Sequence, residues 1–197
     1  MKTIIAIIGR SGSGKDTIKN YLKDKYNYKE VISFSTRPIR ENEVNGREHY
    51  FISKDEMTKL LDNNKLIAYV DMTNPNNEPR SGYEYGCTID ELLNSNLYII
   101  DPSGLEKLKQ NIKNNNLDID VKSIYIYADT DVRKNRIVNS NRFSNITLSE
   151  QEYINRENNE NHLFNSFESE QLYDYCINNS DILNNALEQV DTIMKNL

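Results

Sequence analysis

The chain has 197 residues, with 24 Lys and Arg against 30 Asp and Glu and a formal charge of −6. That length suits one core-bearing domain with inserted lobes, and the acidic balance argues against a general nucleic-acid or anionic-membrane surface, so an anionic ligand has to be held by local arginines. The two cysteines, Cys87 and Cys176, follow no metal spacing and suit a reduced, cytoplasmic interior; the N-terminal residues have no signal-peptide layout and no apolar run is long enough to span a bilayer.

In chain order, the β-branched run Thr3 to Ile8 reads as a buried strand. It delivers Gly9-Arg10-Ser11-Gly12-Ser13-Gly14-Lys15-Asp16-Thr17, after which an amphipathic helix runs from about Lys15 to Lys25. Strand, glycine-rich turn and helix in that order make a phosphate-binding loop. Its glycines let successive amides curl around phosphate oxygens, the helix N-terminus adds partial positive charge, and Lys15 is expected to reach the β/γ-phosphates of ATP. The pattern GxxxxGK[ST] places a hydroxyl after the lysine to serve Mg²⁺. Here Asp16 stands there, with Thr17 next. Asp16 is a candidate metal ligand, direct or through water, and the alternative is a metal held by ATP oxygens and water.

Tyr28 to Phe34 reads as a second strand. The loop after it carries Arg37 and Arg40, three apart around a proline, in a setting suited either to gripping a phosphate or to plain solvation. The run Ser33, Arg37, Arg40, Glu43-Val44, Gly46 and Tyr50-Phe51 resembles the guanylate kinase family, and the likeness extends over essentially the whole chain. The resemblance implies that this loop belongs to a small lobe holding the phosphate of GMP, with Ser33, Arg37, Arg40, Glu43 and Tyr50 as substrate contacts. One extra residue between Glu43 and Tyr50 leaves either His49 or Tyr50 for the last contact, and the following Phe51 favours Tyr50.

Ser53-Lys54-Asp55-Glu56 is a capping box that starts a helix to about Asp62, and Leu66 to Asp71 reads as a strand. By resemblance, Ala68 stands where the family has a glutamate that reads the guanine edge, so that reader is missing; Asp71, three residues on, is a possible substitute. Thr73 to Gly82 is a polar loop. Tyr85 is assigned by resemblance to the substrate phosphate and Cys87 to a position near the base, where a small buried filler is the alternative. Thr88 to Glu91 is a second capping box, with a helix to about Ser95. Leu97 to Ile100 is a strand ending at Asp101, a site candidate as substrate contact or as a water-mediated metal ligand, with a helix N-cap as the alternative. A helix follows from Ser103 to Lys113.

Val121 to Tyr127 reads as a strand, Asp131 to Asn139 as a helix, and about Ser149 to Glu168 as a long charged helix. The resemblance makes Arg136, Arg142 and Arg156 lid arginines that act on the transferring phosphoryl group, while Arg133 does not align with one. Tyr173 to Asn179 is a last strand, and Asn179 is implied to lie near the adenine of ATP. A helix from about Asn184 to Lys195 packs on the sheet.

The fold class expected is α/β, with a parallel-sheet core of the phosphate-binding-loop type, helices on both faces, a substrate-binding lobe and a helical lid. The residue ranges expected are core 1–33, 86–135 and 170–197, lobe 34–85 and lid 136–169, within one domain of residues 1–197. The resemblance implies an enzyme that moves the γ-phosphoryl group of Mg·ATP to a nucleoside monophosphate, most simply GMP or dGMP, as a monomer or homodimer. Two alternatives stand beside it. One is a ribose 1,5-bisphosphate phosphokinase, which the Gly-Lys-Asp sequence and Ala68 resemble. The other is a non-catalytic scaffold module of the same shape.

Overall fold

The structure is a computed structural model that describes residues 1–71, 82–139 and 146–197, with the backbone alone for 146–149. Its strands are β1 (Lys2–Ile8), β2 (Phe34–Ser35), β3 (Tyr50–Phe51), β4 (Leu66–Asp71), β5 (Glu84–Thr88), β6 (Leu97–Ile99), β7 (Ile119–Tyr127) and β8 (Tyr175–Asn178). The helices are α1 (Lys15–Tyr26), α2 (Lys54–Asp62), α3 (Ile89–Leu93), α4 (Pro102–Asn114), α5 (Thr130–Val138), α6 (Ile146–Ser169) and α7 (Leu183–Lys195). The strands form two sheets, ordered β6-β1-β7-β8 and β3-β2-β5-β4. The chain divides into two compact units. One contains Met1–Ile4, Lys29–Tyr98 and Ser103–Val121, and the other Ile5–Tyr28, Ile99–Pro102 and Lys122–Leu197.

The second unit has its core where the sequence is most continuously β-branched. Ile5, Ile7 and Ile8 of β1, Ile124 and Ile126 of β7 and Ile177 of β8 are fully buried. Each such side chain contributes roughly 1.5–3 kcal/mol relative to exposure. β7 and β8 pair in parallel, Ile124 opposite Tyr175 and Tyr127 opposite Asn178. α7 buries Ala186, Val190 and Ile193, spaced four and three apart as one face of a helix requires. α1 joins it through Asp191, which accepts from Tyr21, Tyr26 and Lys25 at 2.8, 2.8 and 2.6 Å.

In the first unit, β2 pairs in parallel with β3 and antiparallel with β5, and β5 pairs antiparallel with β4. α2 starts with the expected capping box at Ser53 and Glu56, both arms made. At α3 only half of the expected box forms. Thr88 accepts from the Glu91 amide, but the Glu91 carboxylate accepts from the Ile32 amide at 3.1 Å instead of turning back to its own helix. The same bond explains why the strand expected over 28–34 shrinks to a bridge between Glu30 and Leu97 followed by the two residues of β2. With the Ile32 N–H taken by a side chain, the ladder does not continue through it.

Candidate active site

β1 ends at Ile8 and the chain turns tightly into α1. Gly12 and Gly14 have φ of +77° and +97°, which L side chains rarely adopt, and the space is closed as well. A Cβ on Gly12 would lie 2.7 Å from the Arg133 carbonyl oxygen, and one on Gly14 would lie 2.3 Å from Asn179 Nδ2. Lys15, the first residue of α1, folds back so that Nζ donates to the carbonyls of Gly9 at 2.7 Å and Arg10 at 3.1 Å. Burial lowers its pKa, and the Glu160 and Asp16 carboxylates oppose that fall. Asp16 is exposed and pairs with Lys19 at 3.2 Å, and Thr17 is exposed beside it.

From behind, the loop is braced by two residues the sequence singles out. Arg136 donates to the carbonyls of Gly12 and Ser13 at 3.3 Å each and to that of Asn179 at 2.8 Å. Asn179, buried, donates through Nδ2 to the Ser13 carbonyl at 2.7 Å. Asn179 Oδ1 and Ser13 Oγ are buried without a hydrogen-bond partner. Two unsatisfied polar atoms beside a glycine cradle are what a site left open for polar ligand atoms displays.

α6 is fastened to the same loop. Arg10 is buried and donates through Nε and Nη2 to the two oxygens of Glu168 at 2.7 and 2.9 Å, and through its Nη groups to Asn161 at 2.8 Å and Asn165 at 3.1 Å. Glu157 is 3.4 Å from Arg10 and takes the buried Arg133 of α5 at 2.8 and 3.1 Å. Glu160 accepts from the Ser11 amide at 2.9 and 3.0 Å and from the Ser11 hydroxyl at 2.6 Å. A carboxylate therefore sits on one amide of the glycine-rich loop. Arg156 on α6 is bonded to Glu152 at 2.7 Å, and its charge adds to the positive field that lowers the Lys15 pKa.

The residues expected from the sequence to hold the acceptor lie on or beside the sheet β3-β2-β5-β4, and its register sorts them. Side chains alternate across a strand, so Ser33, Ser35 and Arg37 share one face with His49 and Phe51 of the β3 segment. Ser35 is opposite Tyr85 on β5, and Ala68 is opposite Cys87, which adds Tyr85, Cys87 and Ala68 to that face. The rings agree: His49 packs edge-on against both Phe51 and Tyr85, at 5.7 and 5.8 Å between centroids. Tyr50 lies on the other face, its ring 5.1 Å from that of Phe34.

Arg37 is buried, lies 5.0 Å over the Phe51 ring and makes a two-pronged pair with Glu43, 2.6 Å on each arm. That pair, reinforced by the Arg40 amide at 2.9 Å, holds the Glu43 carboxyl down to about 2. Ser33 Oγ and His49 Nδ1 are 2.8 Å apart. Arg40 is exposed beside this group. Cys87 and Ala68 are buried neighbours, and burial pushes the Cys87 thiol up. Asp101 is half-buried between β6 and α4, in the unit that carries the loop. Arg142 lies outside the described residues, as does the segment 73–81.

Sequence reasoning missed Glu157, Glu160 and Glu168. Glu157, Asn161, Asn165 and Glu168 recur at four, four and three residues, one stripe of a helix, so the stripe was visible although its partner, Arg10, was not. Asp71, the substitute considered for the absent base reader, pairs with Glu84 in the β4–β5 register.

Among the described residues no helix is long and apolar enough to cross a membrane. The guanylate kinase family profile matches residues 1–197. A guanylate kinase of Bacteroides fragilis is 43% identical over 67 residues, covering 34% of this chain and 33% of that protein. One of Agrobacterium fabrum is 31% identical over 129 residues, covering 64% of this chain and 55% of that protein. The chain thus spans about a third to somewhat over half of the length of these relatives. The crystal structure of guanylate kinase from Anaplasma phagocytophilum superposes with a TM-score of 0.63 at 20% identity, covering 98% of this chain and 85% of that one, which shows the shared α/β fold. Loop, sheet register and full-length match agree: the chain belongs to the guanylate kinase family.

Proposed function

We propose that the protein transfers the γ-phosphoryl group of ATP to a nucleoside monophosphate, GMP or dGMP first among them. The observation that carries this reading is the loop Gly9 to Thr17, closed behind β1 with Gly12 and Gly14 at positive φ and Lys15 opening α1. Such a turn aims amides at phosphate oxygens at the positive end of a helix. Its family membership and the names of its relatives support GMP as the acceptor.

In this reading Lys15 and the loop amides hold the β/γ-phosphates, and Ser13 and Asn179 offer their unpartnered oxygens to the nucleotide. Arg136, Arg142 and Arg156 neutralise charge spreading over the transferred group, while Ser33, Arg37, Arg40, Glu43 and Tyr85 orient the acceptor. Tyr50 and Cys87 remain in the proposed acceptor set, Tyr50 from behind the sheet. Positioning and charge neutralisation supply the rate, with no covalent enzyme intermediate. Among the described residues no three His, Cys, Asp or Glu side chains gather as a metal site. The carboxylates of Asp16 and Asp101 fit a hard cation carried largely by nucleotide oxygens and water, the usual habit of Mg²⁺. Bound there, Mg²⁺ would offset the charge of the β- and γ-phosphates. The setting proposed is cytoplasmic purine-nucleotide metabolism, as a monomer or homodimer without nucleic-acid or membrane partners.

A coupled ADP-release assay with Mg·ATP against GMP, dGMP, other monophosphates and ribose 1,5-bisphosphate tests this reading. Turnover highest with GMP or dGMP is expected. Turnover only with ribose 1,5-bisphosphate, or no ATP binding by calorimetry, overturns it.

A further inference from the structure

α6 places a carboxylate on the loop that the proposed function gives to a triphosphate. We propose that Glu160 competes with the terminal phosphoryl group of the donor for Ser11, an internal stop that ATP has to displace and ADP does not. The inference rests on the reading of Gly9 to Thr17 as the donor loop.

The Glu160 carboxylate accepts from the Ser11 amide at 2.9 and 3.0 Å and from the Ser11 hydroxyl at 2.6 Å, so an anion already takes both donors of that residue. Glu160 is also the carboxylate that acts most strongly on Lys15, opposing the fall in pKa that burial imposes on the ammonium group. Ser11 lies at the β1 end of the loop, ahead of the helix start at Gly14 and Lys15. The amides of such a loop cradle the inner phosphates and its lysine reaches the outer two. A carboxylate close to Lys15 but bonded to Ser11, away from the helix start, therefore stands where the outermost phosphoryl group would come.

Glu160 is not what seats α6. Arg10 grips Glu168, Asn161 and Asn165, and Arg133 grips Glu157, all on the same helix. The Glu160 side chain can therefore turn aside while the helix keeps its place. While the carboxylate is on Ser11 the loop does not accept a full triphosphate, so the apparent ATP affinity is lowered by the fraction of molecules in which the carboxylate has left. ADP ends one phosphoryl group earlier and leaves the Glu160–Ser11 bond standing. Once the γ-phosphoryl group has passed to the acceptor, the carboxylate returns to Ser11, and α6 thereby distinguishes donor from product.

The test is calorimetric titration of ATP and, separately, of ADP, each with Mg²⁺, into the full chain and into Glu160→Gln and Glu160→Ala. Glutamine keeps the length of the side chain without its charge, and alanine removes the arm altogether. Both variants are expected to bind ATP about threefold to tenfold more tightly than wild type, with ADP affinity within about twofold. The Ser11 backbone amide, followed by nuclear magnetic resonance in wild type, should shift with ATP and stay near its free position with ADP. An ATP affinity that is unchanged or weaker in both variants overturns the proposal. So does an equal gain for ATP and ADP, which a general relief of negative charge or a structural role would produce. Failure of wild type to bind either nucleotide overturns the donor reading itself, and the role of Glu160 with it.

Discussion

The two regions of this chain proposed to bind anions are built on different physics. Around the loop, backbone does the shaping: glycines that no Cβ can replace, carbonyls gripped by Lys15, Arg136 and Asn179, and a long helix fastened on through Arg10. On the small sheet, side chains do it, sorted to one face by strand alternation and stiffened by the Arg37–Glu43 pair. A backbone-built site is announced by its glycine spacing. On the sheet, register decides which side chain a face presents: His49 shares the face of Arg37 and Tyr50 does not.

The largest effect that would separate the two regions is expected from Lys15→Ala. Turnover should fall by ~10³ or more with the far-ultraviolet circular dichroism unchanged and GMP binding retained, because in the proposed reading the lysine acts on the donor phosphates. Turnover near wild type would break the distinction on the loop side.

Next comes Arg10→Ala. It strands Glu168 partly buried without its cation, while Glu157 keeps Arg133, and breaking such a network costs about 3–5 kcal/mol. Denaturant unfolding followed at equilibrium checks this, and a change within about 0.5 kcal/mol would mean that α6 is held elsewhere.

The small sheet should respond to acid through Glu43. Its folded pKa of about 2 lies below the usual carboxylate value, so the stability it adds is full above about pH 4.5 and is lost as pH falls through 2. Glu43→Gln should flatten that part of the stability–pH curve, measured by urea unfolding between pH 2 and 6. An unchanged slope would show that the Arg37 pair adds nothing to the sheet.

The smallest effect belongs to Glu160. A triphosphate approaching the loop meets a carboxylate already on the Ser11 amide and hydroxyl. Removing that charge in Glu160→Gln should tighten ATP binding by about threefold to tenfold, read by calorimetry, which is the range of one hydrogen bond. Weaker binding would instead make Glu160 a support of the loop.

Much of the fold was legible because its signals are local. Ser53 and Glu56 announced α2 through a capping box that forms as read, and the isoleucines of β1 announced a buried strand. The strand expected over 28–34 failed because a distant carboxylate, Glu91, takes the Ile32 amide, and no local pattern reports a partner 59 residues away. The same limit explains the site. Lys15 stood in a spaced motif, Arg136 and Asn179 were implied by the family resemblance, and the structure gathers the three at one loop. Arg10 stood in the motif as well, yet its guanidinium faces α6, which only packing reveals. Ala68 and Cys87 were read one at a time, and the ladder sets them side by side as a small apolar pair.

Cys176 is exposed on β8, three positions before Asn179, whereas Cys87 is buried; burial pushes both thiols up. Of the chain's two thiols, therefore, one is open to a maleimide dye and the other is shielded while the fold holds. A fluorophore attached there would report on β8, which leads into Asn179 and so into the bond holding the Ser13 carbonyl of the glycine-rich loop, with no engineered cysteine needed.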